Sequence, residues 1–462
     1  MSRSSGRLPV LAAIEGRAEA ALVAGLEMSG SGVRVTRRCA DLTELLSAAA
    51  AGLGRAALLS AGLPDLDRDA VWQLQSSGVA VVALADPADT EAYRRLTGWG
   101  VRQILPEDAD PEQVAAAVIA AVDGAAGRRA DRHPSGPADR ASTDLGPAGS
   151  GPAAPVPAGA GLDPGSEQPG AAATGPVGRV ITVWGPVGAP GRTTIAITLA
   201  AELAAIGRST LLVDADTYGA SLAQSLALLD ESAGLAAAVR AANNGLLEPA
   251  RLAGLAPVVS PGLRVLTGLP RPQRWPELRQ SGLVEVLTRA RQVAEWTVVD
   301  AGFCIEADEE LSFDTSAPRR NAATLAALEA ADLVIAVGSA DPVGLQRLVR
   351  GLQELREVLP GASVPVRVLV NRVRASAIGD SPDRRVIEAL NRFAGVTEPV
   401  LVPDDRAACD AAMLAGRSLT ECAPQSPARL ALGALAAELA GTDQPGRRAG
   451  RWRPMGRASR RP

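Results

Sequence analysis

Over the first 124 residues, short strand-like apolar runs alternate with longer segments of helical spacing. Val10 to Ile14, Val33 to Thr36, Ala56 to Ser60, Val79 to Leu84 and Val101 to Leu105 read as strands, with helices near Ala18 to Met28, from Asp41 and from Pro111. Five such repeats predict a small doubly wound α/β sheet. From Gly124 to about Val177 the periodicity vanishes and Gly, Ala, Pro and Ser take over. That composition buries too little surface to offset its ordering entropy, so it reads as a disordered tether. Periodicity returns with the strands Arg179 to Trp184, Thr210 to Val213, Trp296 to Val299 and Val366 to Val370, and with helices Thr193 to Ile206 and Leu430 to Leu439. The expected organisation is a first domain over 1–124, a linker over 125–177, a second α/β domain over 178–441 and a basic disordered tail over 442–462.

The second domain opens with candidate chemistry. Gly185-Pro186-Val187-Gly188-Ala189-Pro190-Gly191-Arg192-Thr193-Thr194 joins a buried strand to a helix. A glycine-rich turn there presents backbone N–H groups and the positive end of a helix to an anion, as a polyphosphate requires. Thr193 stands where the Ser/Thr of a G-x-x-x-x-G-K-[ST] loop ligates magnesium, but Pro186 replaces the first glycine and Arg192 the lysine. The chain has no lysine at all; its 47 basic residues are all arginine. Gly, Pro and Thr between strand and helix are also ordinary turn chemistry. Strand-end carboxylates favour the phosphate loop: Asp214-Ala215-Asp216 follows one strand and Asp300 another. Such acids suit a hydrated magnesium ion and an attacking water, because hard cations take oxygen ligands.

The loop, the DAD segment and VVDAG resemble the deviant-Walker P-loop ATPases of the MinD and ParA group. WGPVGAPGRTT, LLVDADTYGASLAQ, RWPELR, DEELSFDTSAPRRNAATL and ADPVGLQRL are more specifically similar to the actinobacterial CpaE-like branch of septum site-determining proteins (Ssd), over roughly residues 175 to 440. The resemblance implies a MinD-like parallel-sheet NTPase domain, ATP or ADP with Mg2+, and a nucleotide-dependent homodimer acting in septum placement. The alternative it implies is a non-hydrolysing scaffold for a Tad-type pilus or secretion machine. Phosphates would lie on Gly188, Ala189, Pro190, Gly191, Arg192, Thr193 and Thr194, magnesium on Thr193 and Asp300, and the attacking water near Asp216 and Asp214. Asn371 and Arg372, after a late strand, fall where the group reads adenine, and Pro403 and Asp404 where it contacts the base. The alternative for Asn371 is a cap or turn residue after the strand, and for Asp404 an ordinary turn residue. The position matching the group's signature lysine is Val187, which cannot contact a phosphate. Arg192 keeps a permanent charge, but its planar head is not interchangeable with an ammonium. The resemblance therefore implies binding more firmly than turnover. Arg319 and Arg320 read chiefly as a solvated helix start, with charge supplied in trans as the alternative.

The first domain resembles response-regulator receivers, which are flavodoxin-like. Ser60 stands where a phosphoacceptor aspartate ends the third strand, and Leu105-Pro106 where lysine-proline ends the fifth, so an interaction module is expected. Cys39, Cys304, Cys409 and Cys422 have no metal or redox spacing, and His133 is the only histidine. These exclude zinc and His-based catalytic triads. A net charge of −4 argues against general nucleic-acid affinity. No run reaches the ~18 apolar residues of a membrane span, so a cytoplasmic protein is expected. Seven arginines with Trp452 in the tail suit either solvated disorder or a peripheral contact with anionic lipid.

Overall fold

The computed structural model describes residues 7–15, 18–28, 31–131, 177–228, 233–306, 318–359 and 364–441. Of the disordered linker expected over 125–177, residues 125–131 instead continue the helix that begins at Pro111, and 132–176 lie outside the described residues, as do His133 and the arginine tail.

The first unit alternates β1 (Leu8–Ala13), α1 (Ala18–Met28), β2 (Val33–Arg38), α2 (Leu42–Ala50), β3 (Ala56–Ser60), α3 (Arg68–Ser76), β4 (Ala80–Ala85), α4 (Thr90–Gly98), β5 (Gln103–Pro106) and α5 (Pro111–Asp131). Its five strands are all parallel, in the order β2-β1-β3-β4-β5. β3 and β4 are buried along their whole length because helices cover both faces, which explains why they read as unbroken apolar runs. Asp41, Asp67 and Asp89 cap α2, α3 and α4, each accepting a backbone N–H three residues on. At the end of β3 the buried Ser60 hydroxyl accepts the Glu15 N–H at 3.0 Å.

The second unit begins with β6 (Arg179–Trp184), α6 (Arg192–Ala205), β7 (Thr210–Ala215), α7 (Leu222–Ser225), α8 (Gly234–Asn243), α9 (Pro249–Leu255), β8 (Val258–Ser260), β9 (Leu263–Leu266) and α10 (Gln280–Val293). It continues through β10 (Trp296–Ala301), α11 (Ala322–Glu329), β11 (Leu333–Ser339), α12 (Pro342–Val358), β12 (Val366–Val373), α13 (Ala375–Ile378), α14 (Pro382–Ala394), β13 (Val400–Pro403), α15 (Arg406–Ala415), α16 (Leu419–Cys422) and α17 (Pro427–Leu439). The eight strands run β13-β12-β11-β6-β10-β7-β9-β8, parallel except for the β8/β9 pairing. β6 is flanked by β10 and β11, both later in the chain. Loops after β6, β7 and β10 therefore meet at one carboxyl edge, the position at which open α/β sheets bind ligands. Val, Leu, Ile and Ala fill both faces, with Glu202 held in the core by a forked Arg429 at 2.6 and 2.8 Å.

The two units touch. Arg68, at the start of α3, is buried; it donates to the Ala242 carbonyl at 2.9 Å and pairs with Glu285 at 2.9 Å. Trp99 Nε1 donates to the Asn243 carbonyl at 2.6 Å, Arg279 pairs with Asp67 and Asp69, and Ser281 hydrogen-bonds Asp69. Gly98 and Gly245 meet backbone to backbone, so a methyl at Gly98 would strike the Gly245 Cα. Among the described residues no helix is long and apolar enough to cross a membrane.

Candidate functional site

The loop after β6 is shaped by its glycines. Gly188 and Gly191 have φ of +76° and +87°, the left-handed region that other residues enter at a cost. Gly191 is also the N-cap of α6 and supplies no side-chain cap, which leaves the first-turn N–H groups to an external acceptor. Ala189 N–H closes a tight turn onto the Pro186 carbonyl at 3.0 Å. Trp184, buried just before the loop, anchors it by donating from Nε1 to the Phe303 carbonyl at 3.1 Å.

Three carboxylates converge on this loop because β6, β7 and β10 end side by side. Asp300 accepts the Thr193 hydroxyl at 2.6 Å, so the two residues expected to ligate magnesium are brought together. Asp216 pairs with Arg192 Nη2 at 3.1 Å and accepts the N–H groups of Tyr218 and Gly219. Arg192 also donates from Nη1 to the Gly185 carbonyl at 3.1 Å. The cation in the lysine position thus folds back onto its own loop and the neighbouring acid. Asp214 accepts the N–H groups of Ser221 and Leu222 at 2.9 and 3.0 Å, and of Asp216 at 3.3 Å. It holds the post-β7 segment in place.

Burial of Asp300 pushes its carboxyl up to about 8, with the Asp214 charge adding to the shift and the Thr193 hydroxyl opposing it. Burial likewise raises Asp214 to about 6, against the backbone donors that favour its ionised form. A site of this kind is short of positive charge. Asp300 Oδ1 and Arg192 Nε are buried with no hydrogen-bond partner among the described residues, the condition expected where a ligand completes the shell. Among the described residues no three Asp, Glu, His or Cys side chains gather as metal ligands. Magnesium fits such a site, because it binds through one or two protein oxygens and takes the rest from phosphates and water.

A second feature adjoins the loop. Asn371, Arg372, Pro403 and Asp404 line one cavity of about 120 Å³ with Gly191 and Thr194. Asn371 Nδ2 donates to the Pro190 carbonyl at 2.9 Å and its Oδ1 accepts the Arg372 N–H at 2.9 Å. The amide therefore ties the cavity to the phosphate loop. Arg372 has φ of +59°, a left-handed conformation in an ordinary residue that marks strain at the cavity rim. Cys409 also lines this space, its thiol raised by burial.

Several neighbours were not legible from motif spacing. Ser221 Oγ lies 3.4 Å from Thr193 Oγ1. Tyr218 donates to Asn321 Oδ1 at 2.7 Å, and the Arg320 guanidinium stacks over the Tyr218 ring at 4.3 Å. Arg320 thus braces the segment after Asp216 from within its own chain. Arg347 of α12 lies against Val187 and Gly188. No local motif marks Arg347.

A family model for the CobQ/CobB/MinD/ParA nucleotide binding domain matches residues 181–413. Among solved structures the chain is similar to a ParA family ATPase from Chlorobium tepidum TLS, at 19% identity over 57% of this chain and 99% of that one, with a TM-score of 0.48. It is also similar to the septum site-determining protein MinD complexed with Mg-ADP from Pyrococcus horikoshii OT3, at 17% identity over 56% and 95%, with a TM-score of 0.45. The MinC:MinD cell division protein complex of Aquifex aeolicus follows at 17% identity over 58% and 98%, with a TM-score of 0.44. No curated protein matches the chain. The matched residues span the phosphate loop, the three strand-end aspartates and the Asn371 cavity, and the chain belongs to the CobQ/CobB/MinD/ParA nucleotide-binding family.

Proposed function

We propose that this chain is a MinD/CpaE-like ATP-binding protein of the septum site-determining branch, a slow ATPase whose nucleotide state governs a homodimer. The observation that carries the reading is the junction of an uncapped glycine loop with three buried aspartates, one of them hydrogen-bonded to Thr193 at 2.6 Å. In this reading the backbone from Gly188 to Thr194 holds the phosphates through its N–H groups, of which Pro190 has none, and Asn371, Arg372, Pro403 and Asp404 hold the base. Thr193 and Asp300 would hold magnesium, which supplies positive charge to the terminal phosphates when bound.

Asp216 is the carboxylate assigned to orient the attacking water. Its present partner is Arg192, 3.1 Å away. The guanidinium occupies the oxygen that would otherwise hold the water. Turnover therefore requires Arg192 to move from Asp216 to the phosphates. That requirement favours slow hydrolysis and supports the second reading, a nucleotide-binding scaffold serving a division or Tad-type secretion machine. The arginine tail is assigned a peripheral contact with anionic lipid, on its composition alone.

Phosphate release by the full chain, alongside light scattering with and without MgATP, separates the readings. Release above background that falls by about 10²-fold or more in Asp216→Ala supports a slow ATPase. Equal release from both proteins removes the ATPase reading, and an unchanged mass with MgATP removes the dimer.

A further inference from the structure

Charge at the phosphate loop is unevenly compensated. Arg192 is mostly buried and paired with Asp216, so its charge is already met. Val187, at the second position of the loop, is an exposed apolar residue with no group to offer a phosphate. Arg347 is different. It is exposed, it forms no ion pair among the described residues, and Nη1 lies 3.4 Å from the Val187 carbonyl.

The helix carrying Arg347 is pressed onto the loop by a built contact. A Cβ added at Gly351 would lie 3.1 Å from both Pro186 and the Trp184 ring, tighter than a side chain normally approaches, so glycine there lets α12 lie flush. Residues four apart share a helix face, and Arg347 is therefore directed at the same loop. Its guanidinium fills the space that any side chain at position 188 would need, and Gly188 is already held to glycine by its φ of +76°. Gly188 and Gly351 thus both make room for one arginine over one loop.

The geometry points to Arg347 as the cation that this loop lacks at Val187: we propose that it turns from the Val187 carbonyl to the terminal phosphate of a bound nucleoside triphosphate. The present contact is long and weak for an N–H···O bond, and the side chain is solvated, so little is lost on leaving it. A charge-assisted bond from a forked guanidinium to phosphate is roughly twice as strong as a neutral one. Because the diphosphate lacks that terminal group, Arg347 selects triphosphate over diphosphate. The inference rests on the nucleotide reading of the loop.

The test is calorimetric titration of MgATP and MgADP into the full-length protein, Arg347→Ala and Arg347→Lys. Loss of one charge-assisted bond predicts that Arg347→Ala binds MgATP about tenfold or more weakly. MgADP should change by less than about twofold, and Arg347→Lys should recover part of the ATP affinity as a point charge. Thermal unfolding checks that the variants are folded, and Arg347→Gln, which keeps part of the stem, gives the same reading if the alanine variant is not. Unchanged ATP affinity in Arg347→Ala overturns the proposal alone, as does an equal loss of ATP and ADP, which would mean that Arg347 merely shapes the loop. A wild-type protein that binds neither nucleotide overturns the nucleotide reading, and this inference with it.

Discussion

Asp300 is buried at the loop and accepts the Thr193 hydroxyl. Burial raises it to about 8 and Asp214 to about 6, from an ordinary value of 3.8. A carboxyl with a raised folded value contributes stability that is fully present below its unfolded value and is lost as pH rises through the folded one. The ligand-free protein should therefore lose thermal stability between about pH 4 and pH 8 through these two groups. A bound cation takes the place of those protons, so magnesium-dependent nucleotide binding should tighten from pH 6 to pH 8.5. Thermal midpoints across that range, with and without Mg-nucleotide, check both statements. Asp300→Asn should flatten the binding trend, and a trend that persists in this variant would assign it elsewhere. Thr193 was legible from the spacing of the glycine loop, and Asp300 from its place at the end of an apolar strand. The pairing of Arg192 with Asp216 was not, since 24 residues separate them and only the sheet order makes them neighbours.

At the scale of elements, α3, α8 and α10 form the contact between the two units. None of the three was among the helices read from spacing. Nothing local marks Arg68 as a residue that will be buried against Ala242 and Glu285, because the partners lie 174 and more residues away. Burial lowers the Arg68 value from its usual range and Glu285 opposes the shift, the pattern of a cation held in a dry interface. Removing it leaves two carbonyls and a carboxylate short of a donor, although Arg289 also reaches Glu285 at 2.8 Å. Arg68→Ala should therefore destabilise the protein by about 1–3 kcal/mol, read by denaturant unfolding. No loss of stability would show that the contact is incidental. β8 and β9 escaped the pattern reading for a different reason: they have three and four residues, too few to establish a period. The core strands β6, β7, β10 and β12 were read from their apolar runs, whereas β11, as apolar and as buried, was not named.

Across the whole molecule, the expected architecture of two α/β units holds, with a five-stranded and an eight-stranded sheet. The first unit was expected to be an interaction module, and one of its faces is engaged by the chain's own second unit through Arg68, Asp67, Asp69 and Trp99. α10 belongs to that contact and packs on α11, whose N-cap Asn321 accepts the Tyr218 hydroxyl two residues after Asp216. The carboxylate at the site and the docking face are therefore joined through a short series of contacts. The lysine-free glycine loop lies beside this arrangement, with Arg192 paired to Asp216.

The most direct test of the account is calorimetric titration of MgATP into the full-length protein and into Arg192→Ala. The account predicts saturable one-to-one binding to the wild type, weakened by about tenfold or more when the guanidinium is removed. Absence of binding to the wild type, or equal affinity in the two proteins, would contradict it.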